Sequence, residues 1–163
     1  MKKKKLTHIG EKGDARMVDV GGKQDTDRFA VARARVLITE KLFTQLQENA
    51  LGKGDAFSAA RIAGIQAAKR TSDLIPLCHT LPLTSVSVDV KLDENPPAVE
   101  ITAEARTHYK TGVEMEALMA VSVAALTIYD MAKAVDRGMI IESVKLMEKG
   151  GGQGGHWRRK DAD

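Results

Sequence analysis

Several things are scarce in this chain, and each shortage excludes something. There is one cysteine, Cys78, so no internal disulfide can form and no second thiolate exists for a zinc site. A lone thiol fits a reducing compartment. Aromatic residues make up 4%, which supplies few of the stacking platforms that single-strand nucleic-acid binders need. No apolar run reads as both long enough and free enough of charge to span a membrane. The four lysines that follow Met1 lead into no apolar stretch, so a secretory signal is not expected. Strong net charge is also lacking. The formal charge is +3, but Lys2 to Lys5 supply four positives and the C-terminal tail one more, which leaves the body at about −2. A basic nucleic-acid footprint is therefore confined to the tails.

What is present suits an ordinary globular domain, with 43% hydrophobic and 29% charged residues in 163. The organisation expected is a flexible basic tail over residues 1–16, a single domain over 17–149, and a glycine-rich flexible tail over 150–163, in a cytoplasmic protein. A segment around Met17 to Val20 should dock on the body. Arg28 to Ile38 alternates, with Ala30, Ala32, Ala34, Val36 and Ile38 on one face and Arg33 and Arg35 on the other, as a strand does. Thr39 can cap a helix from Glu40 to Asn49. Asp55 can cap a second, alanine-rich helix. Pro76 and Pro82 make Thr71 to Pro82 a loop. Leu83 to Leu92 and Val99 to Arg106 alternate on either side of an Asp93–Pro97 turn and read as a hairpin. In the first of these strands Thr84, Val86, Val88, Val90 and Leu92 face inward. Gly112 to Asp136 is one long helix, apolar over most of its surface, and Met139 to Glu148 is a last strand. The order β-α-α-β-β-α-β is an α+β, ferredoxin-like split βαβ plan: a four-stranded antiparallel sheet with helices on one face.

Chemistry has few places to sit. Asp130 and Lys133 share one face of the long helix in an apolar neighbourhood. Lys53, between two glycines before a helix N-terminus, suits a phosphate, although the same pattern serves a plain turn. Cys78-His79 between prolines is a poor chelating pair. It is either a nucleophile with its base, or a buried thiol beside a loop histidine that could act as acid, base or phosphate ligand. Glu116 and Asp130 lie near opposite ends of the long helix, about 21 Å apart by helical rise. One compact site that used both would need two subunits.

Three stretches together carry a resemblance: GKGDAFSAARIAGIQAAKRTSDLIPLCHTLPL, KTGVEMEALMAVSVAALTIYDMAKAVD and KLMEKGGG. They resemble the cyclic pyranopterin monophosphate synthase family, molybdenum cofactor biosynthesis protein C (MoaC), from about Met17 to Gly152. The resemblance implies a lyase of molybdenum cofactor biosynthesis. It would convert 3′,8-cyclo-7,8-dihydro-GTP to cyclic pyranopterin monophosphate and release pyrophosphate, with no metal and no organic cofactor. It implies a hexamer, a trimer of dimers, with active sites at dimer interfaces, and neither nucleic acid nor membrane as partner. Carried over residue by residue, Asp130, Lys133 and Lys53 match catalytic positions. Leu77, Cys78 and His79 match a substrate-binding loop, and Met115 with Glu116 another. Glu114 and Arg28 match further substrate-site positions, and Lys149 a lysine on a segment that closes over substrate. Thr80 stands where the family usually has proline, which removes one constraint from the Cys-His loop.

Two other classes compete with this reading. An RNA-binding ferredoxin-like module lacks its aromatic sheet motif here. A nucleotide-binding regulatory module would not need an Asp130–Lys133 pair. Mixing Lys53→Ala with Asp130→Asn subunits is expected to restore activity if sites are shared between chains.

Overall fold

In the computed structural model, which describes residues 14–160, nine elements follow one another. They are β1 (Thr26–Leu37), α1 (Glu40–Gln47), α2 (Ala56–Lys69), α3 (Thr71–Leu74), β2 (Leu83–Glu94), β3 (Pro97–Tyr109), α4 (Glu114–Ala132), β4 (Ile140–Gly150) and β5 (Trp157–Arg158). The sheet order is β2-β3-β1-β4-β5, with every neighbour antiparallel. The first four strands have the order of a ferredoxin-like sheet. Most of the expected basic tail, residues 1–13, lies outside the described residues.

Period-two alternation fixes which side of β1 faces inward. Ala30, Ala32, Ala34 and Val36 are fully buried, and so are Val99, Ile101 and Ala105 of β3 beside them. Alanine is used there because α4 lies directly across these central strands with its own alanines turned down: Ala117, Ala120, Ala124, Ala125 and Ala132 are all buried. On the opposite face Arg35 pairs with Asp93, Glu100 and Glu142, so that surface is polar and ion-paired.

The helix starts obey local chemistry. Thr39 accepts from the Leu42 N–H, and Asp55 accepts from the Phe57 and Ser58 N–H groups, each satisfying amides left orphaned by the first turn. The packing of α2 on α4 runs through small residues. Gly64 lies against Ala120 and Ala124, while Lys53, just before α2, lies against Asp130 near the end of α4. The two helices are therefore antiparallel.

Four expectations need correcting. The stretch from Thr71 begins with the short helix α3, which ends before Ile75, because a residue preceding proline avoids helical backbone. Thr84 does not face inward. The β2–β3 register shifts between Leu83 and Ser85, so Thr84 is exposed and Leu83 takes the place against the core. The sheet has five strands, because Trp157 and Arg158 turn back to pair with Lys149 and Glu148. Finally, α4 does reach membrane-spanning length and apolarity, at 19 residues and a mean hydropathy of 1.4. It is packed on the sheet and α2 as the core helix of the fold.

Candidate active site

Because α2 and α4 are antiparallel, the turn before α2 meets the end of α4. Gly54 has φ +91 and its N–H closes the turn onto Leu51 O, a backbone state glycine adopts without a Cβ penalty. The turn projects Lys53, whose Nζ donates to the Asp130 carbonyl at 2.7 Å and to its Oδ2 at 3.2 Å. Lys133 donates to the other carboxylate oxygen at 2.6 Å. The hydrogen bond from Lys133, and then that from Lys53, hold Asp130 below the usual carboxylate range, and Asp130 in turn raises Lys133. The triad carries net charge +1 and keeps Asp130 ionised. It does not sit in an apolar neighbourhood: the Asp130 side chain is 61% exposed, because the helix ends there and the sheet lies on its other side.

The opposite end of α4 gathers the other candidates. A cavity of about 340 Å³ is bordered by Leu77, Cys78, His79, Met115, Glu116 and Lys23. It shares Gly112 and Glu114 with a small recess beside Arg28 and Lys149, and Lys23 with a cleft of about 690 Å³ also bordered by Gly152 and Gly154. Lys149 donates to Glu114 at 2.6 Å. Arg28 is fixed by bonds from Nε to Tyr109 O and from Nη2 to Lys110 O.

Glu116 is the unusual group. It is 4% exposed, and burial pushes its carboxyl up to about 7, so it can take or give a proton near neutrality. Burial, and then the Glu116 charge, raise the Cys78 thiol. His79 donates its Nε2–H to Val18 O at 2.7 Å, since a carbonyl can only accept. Among the described residues no hydrogen bond joins Cys78 to His79, so the thiol lacks the activation a nucleophile needs. Its place is as a wall of the cavity. The same bond to Val18, with Val20 buried, docks the Met17 to Val20 segment on the body as expected. Thr80 donates to Ser72 at 3.1 Å, which ties the loop to α3 where a proline ring would otherwise stiffen it.

The predicted residues thus form two groups, one at each end of α4, and a single chain does not bring them together. Lys23 was missed. It borders two of these cavities, yet it follows Gly21-Gly22 in a stretch with no periodicity, where no local signal marks it. Among the described residues no three His, Cys, Asp or Glu side chains converge as metal ligands would.

Fold and site together define a ferredoxin-like α+β enzyme acting on a small molecule. The MoaC family pattern matches residues 17–152. The chain is 57% identical over 156 residues to the cyclic pyranopterin monophosphate synthase of Thermomicrobium roseum, covering 96% of this chain and 94% of that one. It is also 57% identical over 156 residues to the synthase of Heliobacterium modesticaldum, covering 96% and 98%. To that of Bordetella pertussis it is 54% identical over 153 residues, covering 94% and 95%. The chain belongs to the MoaC family.

Proposed function

We propose that this protein is a lyase of molybdenum cofactor biosynthesis that converts 3′,8-cyclo-7,8-dihydro-GTP to cyclic pyranopterin monophosphate and releases pyrophosphate. The observation that carries the proposal is the 57% identity across 96% of the chain to a synthase of that name. The chemistry suits the groups present. Rebuilding a purine-derived ring as a pterin needs groups that exchange protons near neutrality, and Glu116 is one. Cyclic phosphate formation needs an internal hydroxyl to attack the innermost phosphorus. One P–O bond forms, the bond to the pyrophosphate leaving group breaks, and the hydroxyl proton passes to a base. Asp130, held ionised, is the base, while Lys53 and Lys133 neutralise phosphate charge beside it. Leu77, Cys78, His79, Glu114, Met115 and Arg28 hold the ring and ribose end, and Lys149 closes on the bound molecule. No metal and no organic cofactor enter the scheme.

The two groups are too far apart to serve one molecule from one chain. The active site therefore joins the Asp130 end of one subunit to the Glu116 end of another, within a trimer of dimers in the cytoplasm. Lys53 and Asp130 lie 3.2 Å apart in one chain, so a Lys53→Ala and Asp130→Asn mixture does not complement, contrary to the expectation from sequence. A pair that does is Asp130→Asn with Arg28→Ala, because one of the two sites in each mixed dimer is then intact. The decisive experiment is pyrophosphate release from the cyclised GTP substrate by purified protein. Release together with the cyclic pterin supports the lyase. A correctly assembled protein that binds the substrate and releases nothing would make this a binding module.

A further inference from the structure

We propose that Gly112 is a positioning residue: because it has no side chain, the Glu114 carboxylate folds back across it and holds Lys149 at the recess beside Arg28. This rests on the substrate role given above to Lys149 and adds what aims that lysine before any ligand arrives.

Glu114 opens α4, and an acidic residue there is favoured by the free amides of the first turn. Its carboxylate reaches further than that. It accepts from Lys149 Nζ, at the C-terminal end of β4, at 2.6 Å. The path runs over Gly112. A Cβ built on Gly112 would overlap Glu114 Oε2 and stand 2.8 Å from Cδ and 2.9 Å from Oε1, so the carboxyl group occupies the space a methyl would take. Glycine is not needed there for its backbone, because φ at Gly112 lies outside the left-handed region that other residues avoid. What the position supplies is empty space.

The connection from β3 to α4 thereby fixes both cations of the recess. Tyr109 O and Lys110 O hold the Arg28 guanidinium, and Glu114 holds Lys149. Gly112, Glu114, Arg28 and Lys149 all border that recess. A lysine ammonium rides on a flexible four-carbon stem, and ordering it at the moment of binding costs affinity. The bond from Glu114 orders it in advance. The two side chains are 39% and 28% exposed, so water and salt screen the pair less than they screen a surface bridge. The atoms that a Cβ would displace are the far end of a flexible side chain. Glu114 can swing out without moving backbone, which separates the aim of Lys149 from the stability of the fold.

Gly112→Ala in the full-length protein tests this. Its urea midpoint should match the parent's, because only the Glu114 side chain has to move. Its KM for the cyclised GTP substrate should rise about tenfold, with kcat changed much less. Lys149 should be acylated several times faster than in the parent, read by mass spectrometry after brief treatment with acetic anhydride, and Glu114→Gln should show the same gain. Made in a Lys149→Ala protein, Gly112→Ala should raise KM no further. An unchanged KM overturns the proposal, as does an equal KM rise with and without Lys149. A loss of stability that accompanies the KM rise overturns it in favour of a merely structural glycine. If acylation quickens in both variants while the parent releases no pyrophosphate, the hold on Lys149 stands and the lyase reading fails. If the parent turns over and Lys149 acylation is unchanged in both variants, the lyase stands and the hold is refuted.

Discussion

Substituting Gly64 tests the packing that holds the Asp130 triad in place. A Cβ at Gly64 would lie 2.8 Å from Ala120 O, 3.1 Å from a Val88 methyl and 3.4 Å from Ala124 Cβ. The nearest of these is α4 backbone, which cannot rotate away, so α2 must shift. In an open helix, glycine to alanine gains about 1 kcal/mol. Overpacking a close contact costs about 1–3 kcal/mol. With the contact against backbone, the upper part of that range applies, and Gly64→Ala should be destabilised by about 1 kcal/mol net, or about 2–4 °C in Tm for a domain of this size. Gly64→Val adds two methyls at the same place with a weaker helix former, and should lose roughly 3 kcal/mol. The assay is urea unfolding at fixed protein concentration, since assembly shifts apparent stability by mass action. Gly52 has nothing within 4 Å of its Cβ position, and Gly52→Ala is the control with little effect. A Gly64→Ala protein more stable than its parent by the full propensity gain would refute the close approach of α2 to α4.

Other consequences are equally concrete. Asp130→Asn and Lys133→Ala should each abolish pyrophosphate release while the oligomer persists, and normal turnover in either would remove that residue from the mechanism. The Asp130 carboxyl should titrate below its ordinary 3.8 by NMR and move upward in Lys133→Ala. Its depressed pKa means that its stabilising contribution is present above 3.8 and is lost as the pH falls through the lower folded value. Glu116 has the opposite sign: its folded pKa is about 7 against 4.5, so the folded state holds the proton more tightly. Stability is therefore greatest below 4.5 and falls as the pH rises to 7, by at most about 3 kcal/mol. Urea melts of the protein at fixed concentration should show that fall, and Glu116→Gln should remove it. An equal pH dependence in both proteins would rule out Glu116 as the source. Gly152 has φ +67, and its Cβ would meet the Arg28 guanidinium at 2.3 Å. Gly152→Ala should thus raise KM about tenfold through Arg28, a loss of about 1.4 kcal/mol, with kcat changed much less. A kcat loss at unchanged KM would contradict that route.

Much of the fold was legible because the signals were local. The alternation over Arg28 to Ile38 gave the central strand within two residues at its start, and Thr39 and Asp55 marked two helix starts through hydrogen bonds that they make to their own first turns. Two of the failures were non-local. The bulge at Thr84 depends on how β2 pairs with β3, and a single extra residue reverses the facing beyond it. The fifth strand depends on a glycine loop turning back far enough for Arg159 N–H to reach Met147 O at 2.8 Å. Neither leaves a periodic trace.

For the site, the sequence by itself determined the chemical inventory. It held Lys53, Asp130 and Lys133, the Cys-His loop, and two carboxylates at the start of a helix too long for one compact site to use both ends. Residue spacing along a helix is a rigid ruler, so that last point needed no coordinates. Only the tertiary structure decided the environments. Antiparallel packing of α2 on α4 joined Lys53 to Asp130 across a large sequence separation and left the triad in solvent, where two lysines keep the carboxylate charged. At the other end the same helix buried Glu116 against the Cys78 loop, where lost hydration carries an otherwise ordinary carboxyl to about 7. Two acidic residues on one helix acquired opposite protonation behaviour because dielectric and charge partners are properties of the folded surroundings, not of the residue.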